Sequence, residues 1–235
     1  MAFEKILPFL KTVGKPKEAE VQPKPEVCAL EKEEALFYKT RAAVYRKIIE
    51  RYAEAINGGE EKTLPELKAL IKPFDPAVQD VKIKLLESIL QGRPYDFEKD
   101  FQQAAEASFQ RVKSLHFVHA DLPVSYWLSP AEIIELGAAD PFDRALLYCS
   151  LLIALGCKEA RVRVVEIEGG IRHPLVFFSF GGKTFLSDPT QDKTALEHAG
   201  TADELIAAFE LDGKKVSRSL FEFNDQDYQQ FEEGG

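Results

Sequence analysis

Hydrophobic positions in the first half of the chain recur at three- and four-residue steps, the spacing of one face of a helix. Residues 27–120 are therefore predicted to form a helical N-terminal region. The clearest run of apolar positions comprises Leu36, Tyr38, Ala42, Val44, Tyr45, Ile48, Ile49, Tyr52 and Ile56. A proline in a first turn and Glu66 at the capping-box position predict a second helix that starts at Thr63. Helical patterns also cover residues 81–90 and 97–115.

From residue 121 the pattern changes, and it predicts an α+β domain over residues 121–235. A short helix at 129–136 precedes a helix at 141–155 that is apolar almost all round, which is typical of a helix buried on every side. Strand patterns then follow at residues 161–167, 172–180 and 183–186. Gly-Gly pairs separate these strands, which indicates hairpins and an antiparallel sheet.

Residues 1–26 differ in composition from both regions. Lysine, glutamate and proline are so frequent here that the segment cannot bury a core, and it is predicted to be a flexible tail or linker. The apolar patch Phe3–Val13 is a candidate for docking on a partner or a membrane surface. Pro8 lies inside that patch and favours a frayed terminus instead.

The composition narrows the classes of function. A formal net charge of −9 argues against binding to nucleic acid, whose phosphates require a basic face. No P-loop, GxGxxG or GxSxG motif is present, so no cofactor is predicted. No secretory signal and no stretch of the ~18 apolar residues that a membrane span needs is found, so a cytoplasmic location is expected. The three cysteines, at irregular spacing, indicate neither a disulfide framework nor a metal knuckle.

One string in the second half carries a more specific signal: WLSPAEIIELGAADPFDRALLYCSLLIALGCKEARVRVV, which begins at Trp127. It resembles the transglutaminase-like superfamily, in which Gly-Asp-Cys opens a buried helix and a histidine and an Asp-Pro-Thr follow on later strands. The matching residues are Trp127, Asp140, Ala160, Arg161, Val162, His173, Asp188, Pro189 and Thr190. The match covers about residues 121–191. The resemblance implies a papain-type core, with an antiparallel sheet packed on the buried helix, and a catalytic site at Pro141, His173 and Asp188.

Pro141 stands at the position of the family's nucleophilic cysteine. A thiolate there is stabilised by the helix N-terminus and by a His–Asp pair, and the backbone N–H helps to hold the oxyanion. Proline lacks both the sulfur and the N–H. The same residue also suits a helix start, because Asp140 is a good N-cap and Asp143 favours the helix dipole.

No other residue is predicted to replace the nucleophile. Cys149 lies eight residues along the same helix, about 12 Å away and rotated by about 80°. It is interpreted as a buried structural cysteine, and Cys157 lies beyond the helix end. His116 and His119 have no third ligand at a suitable spacing, so no metal site is predicted.

His173 and Asp188 are predicted to meet without any appeal to the family. If Gly181-Gly182 forms a two-residue turn, residue 175 faces 188, and the two side chains share one face on a diagonal of roughly 7–8 Å. Two interpretations stay open for this pair: a retained element of the fold, or a retained ligand-binding pocket.

The leading hypothesis is a catalytically degenerate protein whose former substrate cleft binds a peptide or protein partner. One alternative is an active hydrolase or acyltransferase of the same superfamily that is thiol-independent or depends on Cys149. Another is a structural adaptor that acts through the helical N-terminal region.

Overall fold

The computed structural model describes residues 25–58, 64–118, 127–191, 197–199 and 201–231. Several predicted features lie outside this part of the chain: the apolar patch Phe3–Val13, His119 and the boundary at residues 120 and 121. Of the predicted tail, only residues 25 and 26 are described. Two compact units divide at Tyr38 and Lys39. The described part of the first unit is helical, because helix α1 begins at Pro25. Every helix after α1 and all the strands described below belong to the second unit.

Among the described residues, helices dominate from residue 25 to residue 113, as the sequence predicts. The helices are α1 (Pro25–Gly58), α2 (Leu64–Lys68), α3 (Pro76–Leu90), α4 (Phe97–Lys113), α5 (Pro130–Leu136), α6 (Pro141–Ala154) and α7 (Ala202–Ala208). Asp75 and Asp96 cap α3 and α4 by accepting hydrogen bonds from backbone N–H groups two residues on. Within the described residues, no helix combines the length and the apolar character that crossing a membrane requires.

The strands in the described part of the chain form two sheets. The strands are β1 (His116–Phe117), β2 (Ala138–Ala139), β3 (Arg161–Ile167), β4 (Ile171–Phe180), β5 (Lys183–Ser187), β6 (Glu197–Ala199), β7 (Glu210–Leu211), β8 (Lys214–Phe223) and β9 (Tyr228–Gln230). β1 and β2 form a short parallel pair. The large antiparallel sheet has the order β6-β5-β4-β3-β8-β7, and β9 also pairs with β8.

Helix α6 is buried between the sheet and the other helices. Phe178 of β4 packs edge-on against Tyr148 of α6 at 6.5 Å and against Phe101 of α4 at 5.8 Å between ring centroids. Phe109 of α4 reaches Tyr148 as well, at 5.7 Å. The predicted α+β class, with an antiparallel sheet packed on a buried helix, is confirmed.

The opposite face of the sheet has a smaller core of its own. Alternation along the strands directs Leu175, Phe177 and Leu186 away from α6, toward Leu205 of α7 and Phe209. The sheet is therefore covered on both faces in its middle, and residues on either face can be buried.

Candidate functional site

The start of α6 is held by a reciprocal pair of hydrogen bonds. The Oδ1 atom of Asp140 accepts from the Asp143 backbone N–H at 2.8 Å, and Oδ2 of Asp143 accepts from the Asp140 N–H at 3.4 Å. Pro141 occupies the first helical position between them and is half-buried. The arrangement is the Asp-Pro helix start that the sequence predicts, and proline fits because an N–H at this position has no partner within the helix.

Asp143 does more than favour the helix dipole. Its Oδ1 accepts a hydrogen bond from the Leu128 N–H at 2.8 Å, which ties the segment before α5 to the start of α6. Asp143 is only 2% exposed. Burial raises the pKa of Asp143 well above its ordinary value, and the negative charges of Asp140 and Glu132 add to this effect. Sequence reasoning missed the second bond, because its donor lies 15 residues away.

His173 and Asp188 are paired through their side chains. Nε2 of His173 lies 2.8 Å from Oδ2 of Asp188. The other carboxylate oxygen accepts from the backbone N–H and the hydroxyl of Thr190, at 2.9 and 2.6 Å. The register that predicts this meeting is present, since β4 and β5 pair from Phe180 opposite Lys183 onward.

This pair is enclosed rather than open. His173 is 4% exposed and Asp188 is 7% exposed. The ring of Phe209 stacks on the imidazole with a centroid distance of 6.1 Å. Both residues lie on the sheet face that carries Leu175 and Leu186, the face turned away from the body of α6. A connection between the His173–Asp188 pair and α6 must therefore run past the ends of β4 and β5.

Arg144 makes that connection, which no local sequence pattern predicts. Its Nη1 donates to the carbonyl of Pro189 at 3.0 Å, and its Nη2 donates to the carbonyl of Leu115 at 2.7 Å. The guanidinium lies over the ring of Phe117, 5.0 Å from the centroid. Burial lowers the pKa of Arg144, and the nearby carboxylate of Asp188 opposes that shift. One side chain thus joins the first turns of α6 to the residue after Asp188.

The two cysteines with described side chains lie in the core. Cys149 is fully buried, and burial raises the pKa of its thiol well above the ordinary value. Cys157 is 3% exposed, and burial raises the pKa of its thiol to about 11. Its Sγ lies 3.6 Å from the carbonyl of Ser179, to which it donates. Neither thiol belongs to the start of α6.

Metal-binding groups do not gather in the described part of the chain, where no cluster of three or more His, Cys, Asp or Glu side chains could hold an ion. His116 is exposed on β1.

Comparison with known proteins gives a remote likeness. No protein-family model and no curated protein matches this chain. Among solved structures, EGTA-treated LapG of Legionella pneumophila is 15% identical, with a TM-score of 0.46 over 73% of this chain and 87% of LapG. Calcium-bound LapG is also 15% identical, with a TM-score of 0.47 over 72% and 88% of the two chains. These values are too low to assign a family or to transfer the role of any residue.

Proposed function

We propose that the chain is a catalytically degenerate protein of the transglutaminase-like type, which binds a peptide or protein partner at the surface where α6 begins. The observation that carries this proposal is Pro141 at the first position of α6, directly after the N-cap Asp140. A proline there provides no thiol, and it has no backbone N–H with which to hold an oxyanion.

The surroundings of Pro141 support the proposal that the arrangement of a thiol-enzyme site is kept while its thiol chemistry is lost. A His–Asp hydrogen bond persists at 2.8 Å, and Arg144 holds the residue after Asp188 beside the helix. In a thiol enzyme such a pair orients and polarises the nucleophile. In the described part of this chain no thiol lies at the start of α6. The His173–Asp188 pair can therefore still stabilise the fold and shape the surface, but it has no nucleophile there to activate.

The rival hypothesis of an enzyme that depends on Cys149 conflicts with the position of that residue. A reactive thiol must be ionised and accessible to its substrate, whereas Cys149 is fully buried with a raised pKa. A thiol-independent hydrolase is a separate rival, and activity measurements can address it directly.

The adaptor hypothesis has one observation in its favour. Three consecutive residues of α1 in the first unit expose large apolar side chains: Leu36 at 48%, Phe37 at 43% and Tyr38 at 58%. Neighbouring exposed apolar residues are typical of surfaces that contact other proteins.

Catalytic degeneracy is tested by assays of transamidase and peptidase activity on amine-acceptor and amide peptides. We expect no turnover above the buffer control, and we expect iodoacetamide to label Cys149 slowly in the folded protein. Activity that disappears in Cys149→Ala would establish the Cys149 enzyme, and activity that survives substitution of all three cysteines by Ala would establish a thiol-independent one. Either result would refute degeneracy.

Peptide binding at the start of α6 is tested by blocking that surface. Peptides selected from a random library on the wild-type protein are titrated against Pro141→Cys before and after its new thiol is modified with a bulky maleimide. We expect the modification to abolish binding. The matched control is Ser217→Cys, modified in the same way on the exposed part of β8, where binding should be unchanged. Equal binding to both modified variants would place the peptide site elsewhere.

A further inference from the structure

A groove of about 770 Å³ lies between α2 and the turn that joins β8 to β9. None of its lining residues is one of those that form the start of α6. The volume falls within the range of roughly 300–1,000 Å³ that is usual for ligand-binding clefts. This groove takes no part in the proposed function described above.

The first wall, formed by α2 and the turn after it, is anchored in the core. Ile71 is 2% exposed and belongs to the hydrophobic core. The backbone N–H of Lys72 donates to the hydroxyl of Ser150, a fully buried residue of α6, at 3.1 Å. These contacts fix the backbone from which the half-buried side chains of Lys68 and Lys72 line the groove.

The second wall is a turn that one buried asparagine organises. Oδ1 of Asn224 accepts from the N–H groups of Gln226 and Asp227, at 2.9 and 2.7 Å. Asn224 is 6% exposed, and its amide donates to the carbonyl of Lys158 at 3.4 Å. The turn therefore presents the carboxylates of Asp225 and Asp227 from a fixed backbone.

The two walls carry opposite charges that do not neutralise each other. Lys68 and Lys72 line one side, and Asp225 and Asp227 line the other. Within the described ranges, none of these four residues forms an ion pair. Apolar surface between them comes from the exposed residues Leu64 and Pro65 and the half-buried Tyr228. An occupant complementary to the groove would therefore carry a carboxylate on one side, a cation on the other and an apolar group between them.

We propose that this groove binds a peptide segment of a partner protein in which an acidic and a basic side chain flank an apolar residue. The lysines receive the carboxylate, the aspartates receive the cation, and the apolar side chain packs against Leu64 and Tyr228. The walls reach the surface at exposed residues, Leu64 on one side and Gln226 on the other, so a peptide chain can enter and leave the groove.

Three capped, fluorescent peptides of equal length test this proposal in titrations of the full chain. Their central leucines are flanked by one Lys and one Glu, by two Glu or by two Lys. We expect the mixed peptide to bind about tenfold more tightly than either of the others, and more weakly in about 0.5 M salt because the charges are then screened. Equal affinities for the three peptides, or no binding of the mixed peptide up to about 1 mM, would overturn the proposal.

Charge substitutions assign the binding to this groove. Lys68→Gln with Lys72→Gln should weaken the mixed peptide about tenfold, while the control pair Lys82→Gln with Lys84→Gln on α3 should have no effect. Lys68→Glu with Lys72→Glu makes both walls acidic and should reverse the preference toward the peptide with two lysines. Far-UV circular dichroism verifies that each variant is folded. Equal effects of the α2 and α3 pairs would overturn the proposal, as would a dimer, detected by sedimentation, that only the α2 substitutions dissociate.

Discussion

Proline at position 141 has two consequences that act on different properties of the molecule. For stability it is favourable, since the first helical position needs no N–H donor and the proline ring already holds a helical φ. The bonds between Asp140 and Asp143 complete this helix start. The same residue prevents thiol chemistry, because it has neither a sulfur nor a backbone N–H. A protein that needs no thiol can therefore keep proline here for its contribution to stability.

The substitution Pro141→Cys tests whether the helix start and His173 still form one site. We expect the new thiol to have a lower pKa than an ordinary exposed cysteine, because the helix N-terminus stabilises a thiolate and a His–Asp pair in the same cleft adds to that effect. The pKa is measured from the pH dependence of the iodoacetamide reaction rate, with Ser217→Cys as the exposed reference. Identical pKa values for the two thiols would show that position 141 and His173 do not share a cleft.

Asp143 is a residue whose removal should destabilise the start of α6. Asp143→Ala leaves the buried N–H of Leu128 without an acceptor and should lower the free energy of unfolding by about 1–3 kcal/mol. Asp143→Asn retains one acceptor oxygen and should cost less. Urea denaturation of the two variants and the wild type measures both effects, and equal losses would mean that packing, rather than hydrogen bonding, is what the alanine removes.

The pH dependence of Asp143→Asn follows from the sign of the pKa shift. Because the folded-state pKa of Asp143 is raised, the folded protein binds this proton more tightly than the unfolded chain does. The stability that this proton contributes is present below the unfolded-state pKa of about 3.9 and is lost as the pH rises through the folded-state value. The asparagine variant should therefore gain stability relative to wild type as the pH is raised, and a difference independent of pH would contradict the raised pKa.

At the scale of elements, the β4–β5 hairpin is the unit that brings His173 to Asp188. Both side chains are buried, and both oxygens of Asp188 have hydrogen-bond partners. The contact with Phe209 adds packing on the imidazole. This enclosure favours the first of the two interpretations left open by the sequence, a retained element of the fold.

His173→Ala should accordingly lower the free energy of unfolding by about 1–3 kcal/mol, because it leaves a buried carboxylate oxygen of Asp188 without this partner. The measurement is chemical denaturation, with His116→Ala on the exposed part of β1 as the control. If His173→Ala instead leaves stability unchanged and weakens binding of a selected peptide, the pair lines a working cleft.

The parts of the fold that the sequence predicts are those encoded by local patterns. The β4–β5 register follows from a two-residue Gly-Gly turn, and the burial of α6 follows from its nearly continuous apolar residues. Strand β8 has no such pattern, because most of its residues are exposed or half-buried. Its place beside β3 depends on long-range contacts such as that of Arg163 with Glu222, which are 59 residues apart. Arg144 was not predictable for a related reason: its acceptors are backbone carbonyls 29 and 45 residues away, which any residue type could supply.

At the scale of the whole molecule, helices α3 and α4 share one hydrophobic core with the sheet. Phe101 of α4 contacts Phe178 and Phe180 of β4, with centroid distances of 5.8 and 4.9 Å. A truncation that removes residues 1–120 would therefore expose the core around α6. Tests of the adaptor hypothesis should use substitutions of exposed α1 residues in the full chain.

A shared core predicts that α4 and the sheet unfold together. Phe101→Ala removes a fully buried ring and should lower the free energy of unfolding by about 3–5 kcal/mol, whereas Phe74→Ala, at a residue 81% exposed, should change it by less than about 0.5 kcal/mol.

Trp127 is the only tryptophan and stacks on Phe142 at the start of α6, so its fluorescence reports on the α6 region while circular dichroism at 222 nm reports mainly on the helices. In urea, the two signals should change in one coincident transition for the wild type, and Phe101→Ala should shift both to a lower concentration by the same amount. If Phe101→Ala shifts only the dichroism, the helices before residue 120 fold as an independent domain, and the boundary predicted at residues 120 and 121 separates two cores.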